Sequence, residues 1–418
     1  MKIAMISEHA SPLAVPGAVD AGGQNVHVGA LAREIAGLGH EVTVYTRKDR
    51  EDVPDIVEIG PGLTVVHVPA GPAAPISKDE ILPWIPDFGA WLRDRWVFDR
   101  PDVVHSHFWM SGVAALEAAE QVRAPVVHTY HALGSVKRRH QGPADASPRD
   151  RIKAEASIGR RADAIIATCH DEVDELIRMR VPRTSTRVVP CGVDTAAFNH
   201  HVAPRERPSR PRLLSVSRLV RRKGVDTSIE ALRRLPDVEL VVAGGPAASE
   251  LHRDAEVTRL RWIAAQAGVG DRVRFIGRIG RSELPSLMRS AAALVSVPWY
   301  EPFGMVALEG MACGVPVVAS AVGGQKETVV NGVTGLLVPP RHPRALAKAL
   351  RTLLDDPVRR TAYGIAGADR AKVRYGWGRI ASETLAVYDE VLSARRIGNE
   401  GAVVIGAGPA PVRGRRQR

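Results

Sequence analysis

The sequence predicts an α/β protein built from two Rossmann-like domains that face each other across a cleft. Its 418 residues exceed what one hydrophobic core normally serves, so two domains are expected. Short apolar runs alternate with helical patterns, which is typical of a parallel sheet covered by helices on both faces. The alternation restarts after residues 199–211, a polar segment with three prolines that is typical of a linker.

The predicted strands of the first half are short apolar runs: Lys2–Ser7, Glu41–Thr46, Thr64–Val68, Asp102–Ser106, Pro125–Thr129 and Asp163–Cys169. The helical patterns between them include Val26–Leu38, Ser111–Gln121 and Asp171–Met179. The strands of the second half are predicted at Arg212–Ser217, Val238–Ala243, Arg272–Gly277, Ala293–Val297 and Pro316–Ala319, before closing helices from about Pro343 to Ala394. Ligands of open parallel sheets bind beyond the carboxyl ends of the strands, so the strand-to-helix turns are the expected sites of chemistry.

The composition limits the classes of function. The net charge is +11, and part of it comes from a Gly/Pro/Arg-rich tail at 395–418, which is predicted to be disordered. The remaining positive charge suits an anionic small substrate, an anionic membrane surface or a nucleic acid. Aromatic residues make up only 5% and no RNA-binding module is present, so nucleic acid is the least favoured of the three.

The cysteines and the hydropathy indicate the compartment. Cys169, Cys191 and Cys313 have no CxxC spacing, which favours reduced thiols in a cytoplasmic protein. No signal peptide precedes the first predicted strand, and no apolar run approaches the roughly 20 residues that span a bilayer. We therefore expect a cytoplasmic protein that contacts a membrane at most peripherally; a homodimer is compatible with the sequence.

The turn after the first strand contains two glycines, Gly22 and Gly23, at the start of a helix. Glycines let the backbone approach a ligand closely, and the helix N-terminus attracts a phosphate. An ordinary glycine turn is an equally good interpretation of this segment alone. A nicotinamide site is disfavoured, because the GxGxxG spacing and the acidic residue that follows it are missing.

Two cations follow the first strand of the second half, Arg218 at its carboxyl end and Lys223 just before the next helix. A fork-shaped and a point-like cation suit a diphosphate, whose departure builds negative charge that must be stabilised. A solvated basic loop is the alternative interpretation of this cluster.

The most informative segment is 299–316. Glu301 lies in the predicted turn after a strand, Gly304 begins a helix, and Glu309 falls among apolar helical neighbours. A carboxylate in such surroundings needs partners, and the adjacent hydroxyls of a ribose would provide them; capping of a neighbouring loop is the alternative. The amides of residues 303–306 are available to a phosphate or sugar oxygen.

Histidines end two strands of the first half, His105 and His107 in one and His128 and His131 near the other. No HxxE motif or carboxylate-rich companion accompanies them, so a metal site is not predicted. His131 can donate to a sugar hydroxyl or to a developing charge. Packing or capping is the default role for any single one of these histidines.

Taken together, these motifs resemble the retaining family 4 glycosyltransferases of the GT-B fold, from Met1 to about Leu392. The resemblance is strongest to the group of D-inositol-3-phosphate glycosyltransferases, sucrose-phosphate synthases and sucrose synthases. Glu301 and Glu309 match the family's E-x7-E motif, and the segment from Ser217 to Gly224 matches its diphosphate motif. The resemblance implies an acceptor-side domain at 1–200, a nucleotide-sugar-binding domain at 207–375 and a helix at 376–394 that returns to the first domain.

The resemblance also implies roles for individual residues. Arg218 and Lys223 would hold the donor diphosphate, Glu309 the ribose, and His131 the transferred sugar, with Glu301 near that sugar. The remaining donor-side residues are Gly22, Gly23, Phe303, Gly304, Met305 and Val306. Among these, His131, Arg218, Lys223 and Glu301 would carry the reaction. No metal or other cofactor is implied, and the donor substrate would be a UDP-sugar by preference, with GDP- or ADP-sugars as alternatives.

The acceptor side departs from the inositol-phosphate enzymes, because Phe108 and Ala132 stand where those enzymes have Tyr and Thr. The predicted acceptor-binding residues are Asn25, His107, Lys137 and Arg151. We expect transfer of a hexosyl or N-acetylhexosaminyl group to a hydroxyl of a small polyol or sugar, either free or phosphorylated. Two alternatives remain at this point: a membrane-surface transferase with a lipid acceptor, and a nucleotide-sugar epimerase on the same scaffold.

Overall fold

The computed structural model describes residues 1–13, 22–206 and 208–405 and contains two sheets. The strands of the first sheet are β1 (Lys2–Ile6), β2 (Glu41–Arg47), β3 (Ile56–Gly60), β4 (Leu63–Val68), β5 (Val103–His107), β6 (Val126–Thr129), β7 (Ala164–Ala167) and β8 (Thr186–Val188). Their order is β3-β4-β2-β1-β5-β6-β7-β8, and every pair is parallel except β3 with β4.

The second sheet is parallel throughout. Its strands are β9 (Arg212–Val216), β10 (Glu239–Ala243), β11 (Val273–Gly277), β12 (Ala293–Ser296), β13 (Val317–Ser320) and β14 (Gly335–Val338). They are arranged in the order β11-β10-β9-β12-β13-β14. The strand order reverses between β1 and β5 in the first sheet and between β9 and β12 in the second, and a crevice for ligands opens at such reversals.

Helices cover both sheets. Those of the first half are α1 (Gly23–Gly37), α2 (Ile85–Phe98), α3 (Trp109–Val122), α4 (Gly134–Gln141), α5 (Arg151–Arg161) and α6 (His170–Arg178). Those of the second half are α7 (Val225–Leu232), α8 (Ala255–Gln266), α9 (Leu284–Arg289), α10 (Met305–Ala312), α11 (Gln325–Thr328), α12 (Pro343–Leu354), α13 (Pro357–Tyr375) and α14 (Trp377–Ile405).

The predicted two-domain α/β fold is confirmed, and each predicted strand lies within two residues of an observed one. The prediction missed β3, β8 and β14. β3 alternates exposed and half-buried residues at a sheet edge, and β8 has only three residues, so neither presents a continuous apolar run. α1 begins at Gly23 rather than at Val26 because the Asn25 side chain accepts a hydrogen bond from the Gly22 amide at 2.9 Å.

The chain crosses between the two domains twice, at adjacent places. Val189 packs in the core of the first domain and Cys191 in that of the second, so this crossing precedes the boundary predicted at residue 200. On the return, Tyr375 packs in the second core and Trp377 in the first. The two crossings touch, since the Val193 amide donates to the Tyr375 carbonyl at 2.8 Å.

The last helix, α14, packs against α1 of the first domain, and its Tyr388 is completely buried there. α14 extends beyond the start of the tail predicted at 395–418: Arg395 lies within it and pairs with Asp163 at 2.9 Å. The structure therefore has helix where the first part of this tail was predicted, and residues 406–418 lie outside the described residues. No helix in the described ranges is both long and apolar enough to traverse a bilayer.

Candidate functional site

The glycine turn at the start of α1 faces the second domain. A Cβ atom added to Gly23 would lie 3.2 Å from Sδ of Met305, the first residue of α10, whereas one added to Gly22 would meet nothing within 4 Å. Asn25, predicted to bind the acceptor, is buried. Its side-chain amide donates to the Ser11 carbonyl at 3.0 Å, so Asn25 holds the glycine turn against the preceding loop.

Of the two cations predicted for the diphosphate, Lys223 contacts Glu301 directly. Lys223 Nζ lies 2.5 Å from Glu301 Oε2, and both side chains are largely shielded from solvent. Burial alone would raise the pKa of Glu301, but Lys223, Arg222 and Arg218 together lower it. Burial lowers the pKa of Lys223, partly offset by Glu301. Lys223 therefore contacts this carboxylate directly, two arginines act on it through their charge, and the excess positive charge suits an anionic ligand.

The E-x7-E segment is shaped by tight glycine packing. Gly304 precedes α10 with φ +96°, and a Cβ there would come within 2.8 Å of Gln325. A Cβ at Gly323 (φ +48°) would lie 1.9 Å from the Glu301 carbonyl oxygen. Only glycine fits both positions, and they hold Phe303 and the first residues of α10 against the 323–325 turn. The helix N-terminus is thereby presented at the carboxyl end of β12.

Glu309 is buried within α10 and has a partner that the sequence did not predict. Arg281 Nη1 lies 2.8 Å from Glu309 Oε1, and the Arg281 guanidinium covers the Phe198 ring at 4.9 Å. Burial raises the pKa of Glu309, and Arg281 only partly offsets that shift. A desolvated carboxylate of this kind gains from further donors such as hydroxyl groups.

The strand-end histidines form a packed cluster. His131 has a left-handed backbone (φ 59°) and is half-buried, and its Nε2 lies 3.0 Å from Nδ1 of His107. His107 is completely buried, so the structure places this predicted acceptor residue behind His131 and not at an open surface. His105 lies between Tyr388 of α14 at 2.7 Å and Thr129 at 2.9 Å.

These histidines are uncharged at neutral pH. Burial lowers the pKa of His27 to about 4 and that of His128 to about 3. The pKa values of His105, His107 and His131 lie well below the usual range, mainly because these rings are buried and secondly because neighbouring histidines disfavour their charge. Among the described residues, His27, His107 and His131 form a group whose donor nitrogens lie within 4.8 Å of one another.

The cations predicted for the acceptor are each paired with a carboxylate. Lys137 Nζ lies 3.0 Å from Asp145 and 2.8 Å from the Ser147 hydroxyl. Arg151 is buried; it lies 2.7 Å from Glu155 and donates to the Ala132 carbonyl at 2.7 Å. Arg151 therefore braces the segment that follows His131, whereas Lys137 holds the 145–147 segment against α4.

Glu155 completes this bracing: besides Arg151, it accepts the Gly134 amide at 2.9 and 3.0 Å. The guanidinium of Arg151 also lies 5.0 Å from the centroid of the Phe108 ring. Phe108 itself has a strained backbone with φ 78°. The wall on this side of the cleft is thus fixed by buried contacts and is apolar at Phe108.

Sequence reasoning missed a carboxylate–imidazole pair at the end of β1. Glu8 is buried, and its Oε1 lies 2.7 Å from Nδ1 of His9. The Ser111 hydroxyl donates to the other Glu8 oxygen, and the His9 ring packs edge-to-face on Phe108 at 4.9 Å. No motif surrounds this pair, but its position beside the strand-order reversal was a usable signal.

Contacts between the two domains close the cleft on one side. Gln141 Nε2 donates to the Tyr300 hydroxyl at 2.6 Å, and the His140 ring stacks on Tyr300 with centroids 5.0 Å apart. At the next turn, Lys326 pairs with Asp171 at 2.5 Å. These contacts hold the two domains together on the side of α4 and α6, and the Gly23 turn meets the start of α10 at Met305.

Two family models together match residues 21–370 without a gap. Residues 21–197 match the family described as "Glycosyltransferase Family 4", and residues 198–370 match "Glycosyl transferases group 1". Both matches follow the order of the two domains in the structure.

Named relatives match along the whole chain. A D-inositol 3-phosphate glycosyltransferase of Xylanimonas cellulosilytica is 38% identical over 94% of this chain and 98% of its own length. One from Kineococcus radiotolerans is 38% identical, with 94% and 96% covered. These figures show common ancestry over both domains.

Solved structures of glycosyltransferases have the same fold as this chain. Sucrose-phosphate synthase of Thermosynechococcus elongatus superposes with a TM-score of 0.86 at 33% identity, covering 94% of this chain and 99% of that one. Anabaena Alr3699/HepE in complex with UDP-glucose has a TM-score of 0.71 at 20% identity, covering 94% and 100%, and shares the fold. With its GT-B fold and its relatives along both domains, the chain belongs to glycosyltransferase family 4 and is a glycosyltransferase.

Proposed function

We propose that the chain transfers a hexosyl or N-acetylhexosaminyl group from a nucleotide diphosphate sugar, preferentially a UDP-sugar, to a hydroxyl of a small polyol or sugar, with retention of the anomeric configuration. The observation that carries the proposal is the shielded ion pair between Lys223 and Glu301, with Arg218 and Arg222 near enough to lower the pKa of Glu301 as well. That cluster lies beside the N-terminus of α10, where a diphosphate gains from both the cations and the free amides. The UDP-glucose bound by Alr3699/HepE supports the choice of donor.

In this mechanism the donor lies between the two domains. The nucleotide ribose donates to Glu309, and the diphosphate lies against Lys223, Arg218 and the amides of residues 304–306. His131, from the opposite domain, contacts the transferred sugar. Because Lys223 is paired with Glu301 at 2.5 Å, donor binding would shift this lysine's contacts from the carboxylate towards the phosphate.

The chemical step breaks the bond between the anomeric carbon and the diphosphate oxygen and forms a bond from that carbon to the acceptor oxygen. The acceptor hydroxyl attacks from the side of the leaving group, and its proton passes to the departing phosphate oxygen. The cations stabilise the charge that builds on this oxygen, while the closed cleft excludes water. No protein nucleophile is required in this scheme.

The acceptor that we propose is an uncharged hydroxyl compound rather than a phosphate ester. Lys137 and Arg151 are neutralised by Asp145 and Glu155, and Phe108 and Ala132 contribute no hydroxyl to that wall. A phosphate would have to break these buried ion pairs, which is costly. The relatives act, by name, on inositol phosphate, so this chain would differ from them in acceptor charge.

The experiment has two stages. First, a thermal-shift screen of UDP-, GDP- and ADP-sugars against the full chain identifies the donor, and the largest stabilisation is expected from a UDP-sugar. Second, that donor is incubated with matched pairs of acceptors, each a free polyol or sugar and its phosphate ester, and the product anomer is assigned by NMR. Transfer to the free polyol with retention supports the proposal. Inversion, or isomerisation of the donor without any acceptor, would overturn it; exclusive use of the phosphate esters would overturn the acceptor assignment alone.

The compartment that we propose is the cytoplasm. Cys169, Cys191 and Cys313 are all free and buried, and free thiols suit a reducing environment. The relatives favour transfer to a polyol or sugar over the lipid-acceptor and epimerase alternatives.

A further inference from the structure

Three histidines of the first domain converge from different elements. His27 lies on α1, His107 ends β5 and His131 follows β6 in the turn before α4. Each offers a ring nitrogen, and these three atoms lie within 4.8 Å of one another. No other group of three potential metal ligands occurs in residues 1–13, 22–206 and 208–405.

One of these rings, that of His27, carries a buried nitrogen, Nδ1, that the protein leaves without a hydrogen-bond partner. His27 is 4% exposed and His107 0%. An unpartnered polar atom in the interior requires an explanation, and an ion bound at the site is one. The nitrogen of His107 that faces the site is Nδ1, which lies 3.0 Å from His131 Nε2; the opposite nitrogen, Nε2, is not a ligand in this arrangement.

The spacing suits a tetrahedral ion. Nitrogens bound to Zn²⁺ at 2.0–2.1 Å in a tetrahedron are separated by roughly 3.4 Å, close to the His107–His131 distance. His27 is held beside them, since its ring lies 4.9 Å from that of His131 and 5.3 Å from that of Trp377 on α14. A shift of this ring by about one ångström towards the pair would bring the third nitrogen within reach.

We propose that His27, His107 and His131 form a binding site for an imidazole-preferring transition metal, with Zn²⁺ as the reference ion, and that its occupation inhibits transfer. An all-imidazole set without carboxylates suits Zn²⁺, Cu²⁺ or Ni²⁺ and disfavours Mg²⁺ and Ca²⁺. Three protein ligands leave the fourth position open. His131 is the only half-buried member, so this position lies on the cleft side.

The inhibitory part of the inference rests on the proposed function, because it assigns the transferred sugar to His131. An ion that binds Nε2 of His131 removes this nitrogen from the sugar and anchors the turn to α1 and β5. The ring protons of neutral His107 and His131 then lie on the nitrogens that face away from the ion. Zn²⁺ would therefore act as an inhibitor of the enzyme and not as its cofactor.

The direct test is calorimetric titration of the full chain with Zn²⁺ alone, which should show one tight site per chain. His27→Gln removes a ligand that the mechanism does not use. This variant should weaken Zn²⁺ binding by more than the roughly 10–100-fold that follows loss of an outer-shell partner. His140→Gln, which alters another cleft histidine, should bind Zn²⁺ like the wild type. Equal binding by wild type and His27→Gln, or loss of the site in His140→Gln, would overturn the site.

Two further measurements test the metal site and its inhibitory role separately. If His27→Gln does not fold, X-ray absorption of the Zn²⁺-loaded wild type decides the case: three imidazole ligands support the site, and fewer refute it. Transfer assays with added Zn²⁺ should show inhibition in the wild type that His27→Gln relieves. Tight binding without inhibition would refute the inhibitory role alone, and it would not bear on whether the chain transfers sugar.

Discussion

Lys223 and Glu301 lie 78 residues apart and form a 2.5 Å ion pair between the turns that follow β9 and β12. In the mechanism proposed above, the donor diphosphate competes with Glu301 for this lysine. We therefore expect Lys223→Ala to lower kcat by about 10²–10³-fold, the usual cost of removing one donor to a developing oxyanion. Arg221→Ala, which alters an exposed neighbour, is the matched control and should retain activity. Steady-state kinetics with the best donor provide the measurement; a kcat within a few-fold of wild type would contradict the role.

Glu309→Gln should weaken nucleotide binding and change its dependence on pH. Burial raises the pKa of Glu309, and only the ionised carboxylate accepts hydrogen bonds from both ribose hydroxyls. UDP-sugar affinity should therefore fall on acidification, starting at a higher pH than for an ordinary carboxyl group. Calorimetric titrations from neutral to mildly acid pH should show this fall in the wild type and a flat profile in the variant.

Arg281→Met offers an independent check of the same carboxylate. Without Arg281, the group that lowers the pKa of Glu309 is lost, so its pKa should rise further. The loss of donor affinity should then begin at a higher pH than in the wild type. An unchanged pH profile in both variants would mean that Glu309 does not contact the nucleotide.

Gly23→Ala should interfere with closure of the cleft. The added methyl group would lie 3.2 Å from Met305 Sδ, so the two domains must separate slightly or the methionine must move. We expect a higher KM for the donor, with recovery in the double variant Gly23→Ala, Met305→Ala. Gly22→Ala is the control, because its added carbon meets nothing within 4 Å. Equal kinetics for the Gly22 and Gly23 variants would show that this approach is unimportant.

Acidification should destabilise the fold through its buried histidines. The pKa values of His27 and His128 are lowered to about 4 and about 3, so below pH 6.5 the unfolded chain binds protons that the native protein does not. The free energy of unfolding should consequently decrease from about pH 6.5 to about pH 4, by up to roughly 1.4 kcal/mol per pH unit for each such histidine.

Urea unfolding at several pH values measures this effect. His128→Gln should reduce the slope of the free energy of unfolding against pH by up to the roughly 1.4 kcal/mol per pH unit that one buried histidine contributes. His201→Gln, at an exposed position, should leave this slope unchanged. A slope that is identical in wild type and His128→Gln would contradict the assignment of a buried neutral imidazole.

The approach of Lys223 to Glu301 and the burial of Glu309 could be predicted from the sequence because their signals are local. Glu301 and Glu309 lie in one short segment, the turn after β12 and the helix that follows it, and Lys223 and Glu301 follow strands that are neighbours in the sheet. Apolar runs likewise predicted the buried parallel strands, since their periodicity is set within a few residues. These features need no knowledge of distant contacts.

The contacts of the residues predicted for the acceptor could not be read from the sequence, because they depend on distant partners. Arg151 appears in the sequence as an available cation, and only the fold shows it buried against Glu155 and the Ala132 carbonyl. His105 is held by Tyr388, 283 residues away. No pattern in a single sequence specifies such long-range pairs, so the roles of charged residues on this side depended on the three-dimensional structure.

The hydrogen bond between Val193 and Tyr375 also constrains how the domains can move. With both connections joined at one place, they form a single hinge, and the remaining freedom is mainly rotation about it rather than sliding. Opening would swing the Gly23 turn away from Met305 while Val193 and Tyr375 stay together. Substrate entry and product release would then follow one reproducible path. Cutting the chain before Trp377 would leave the domains joined by one chain connection instead of two.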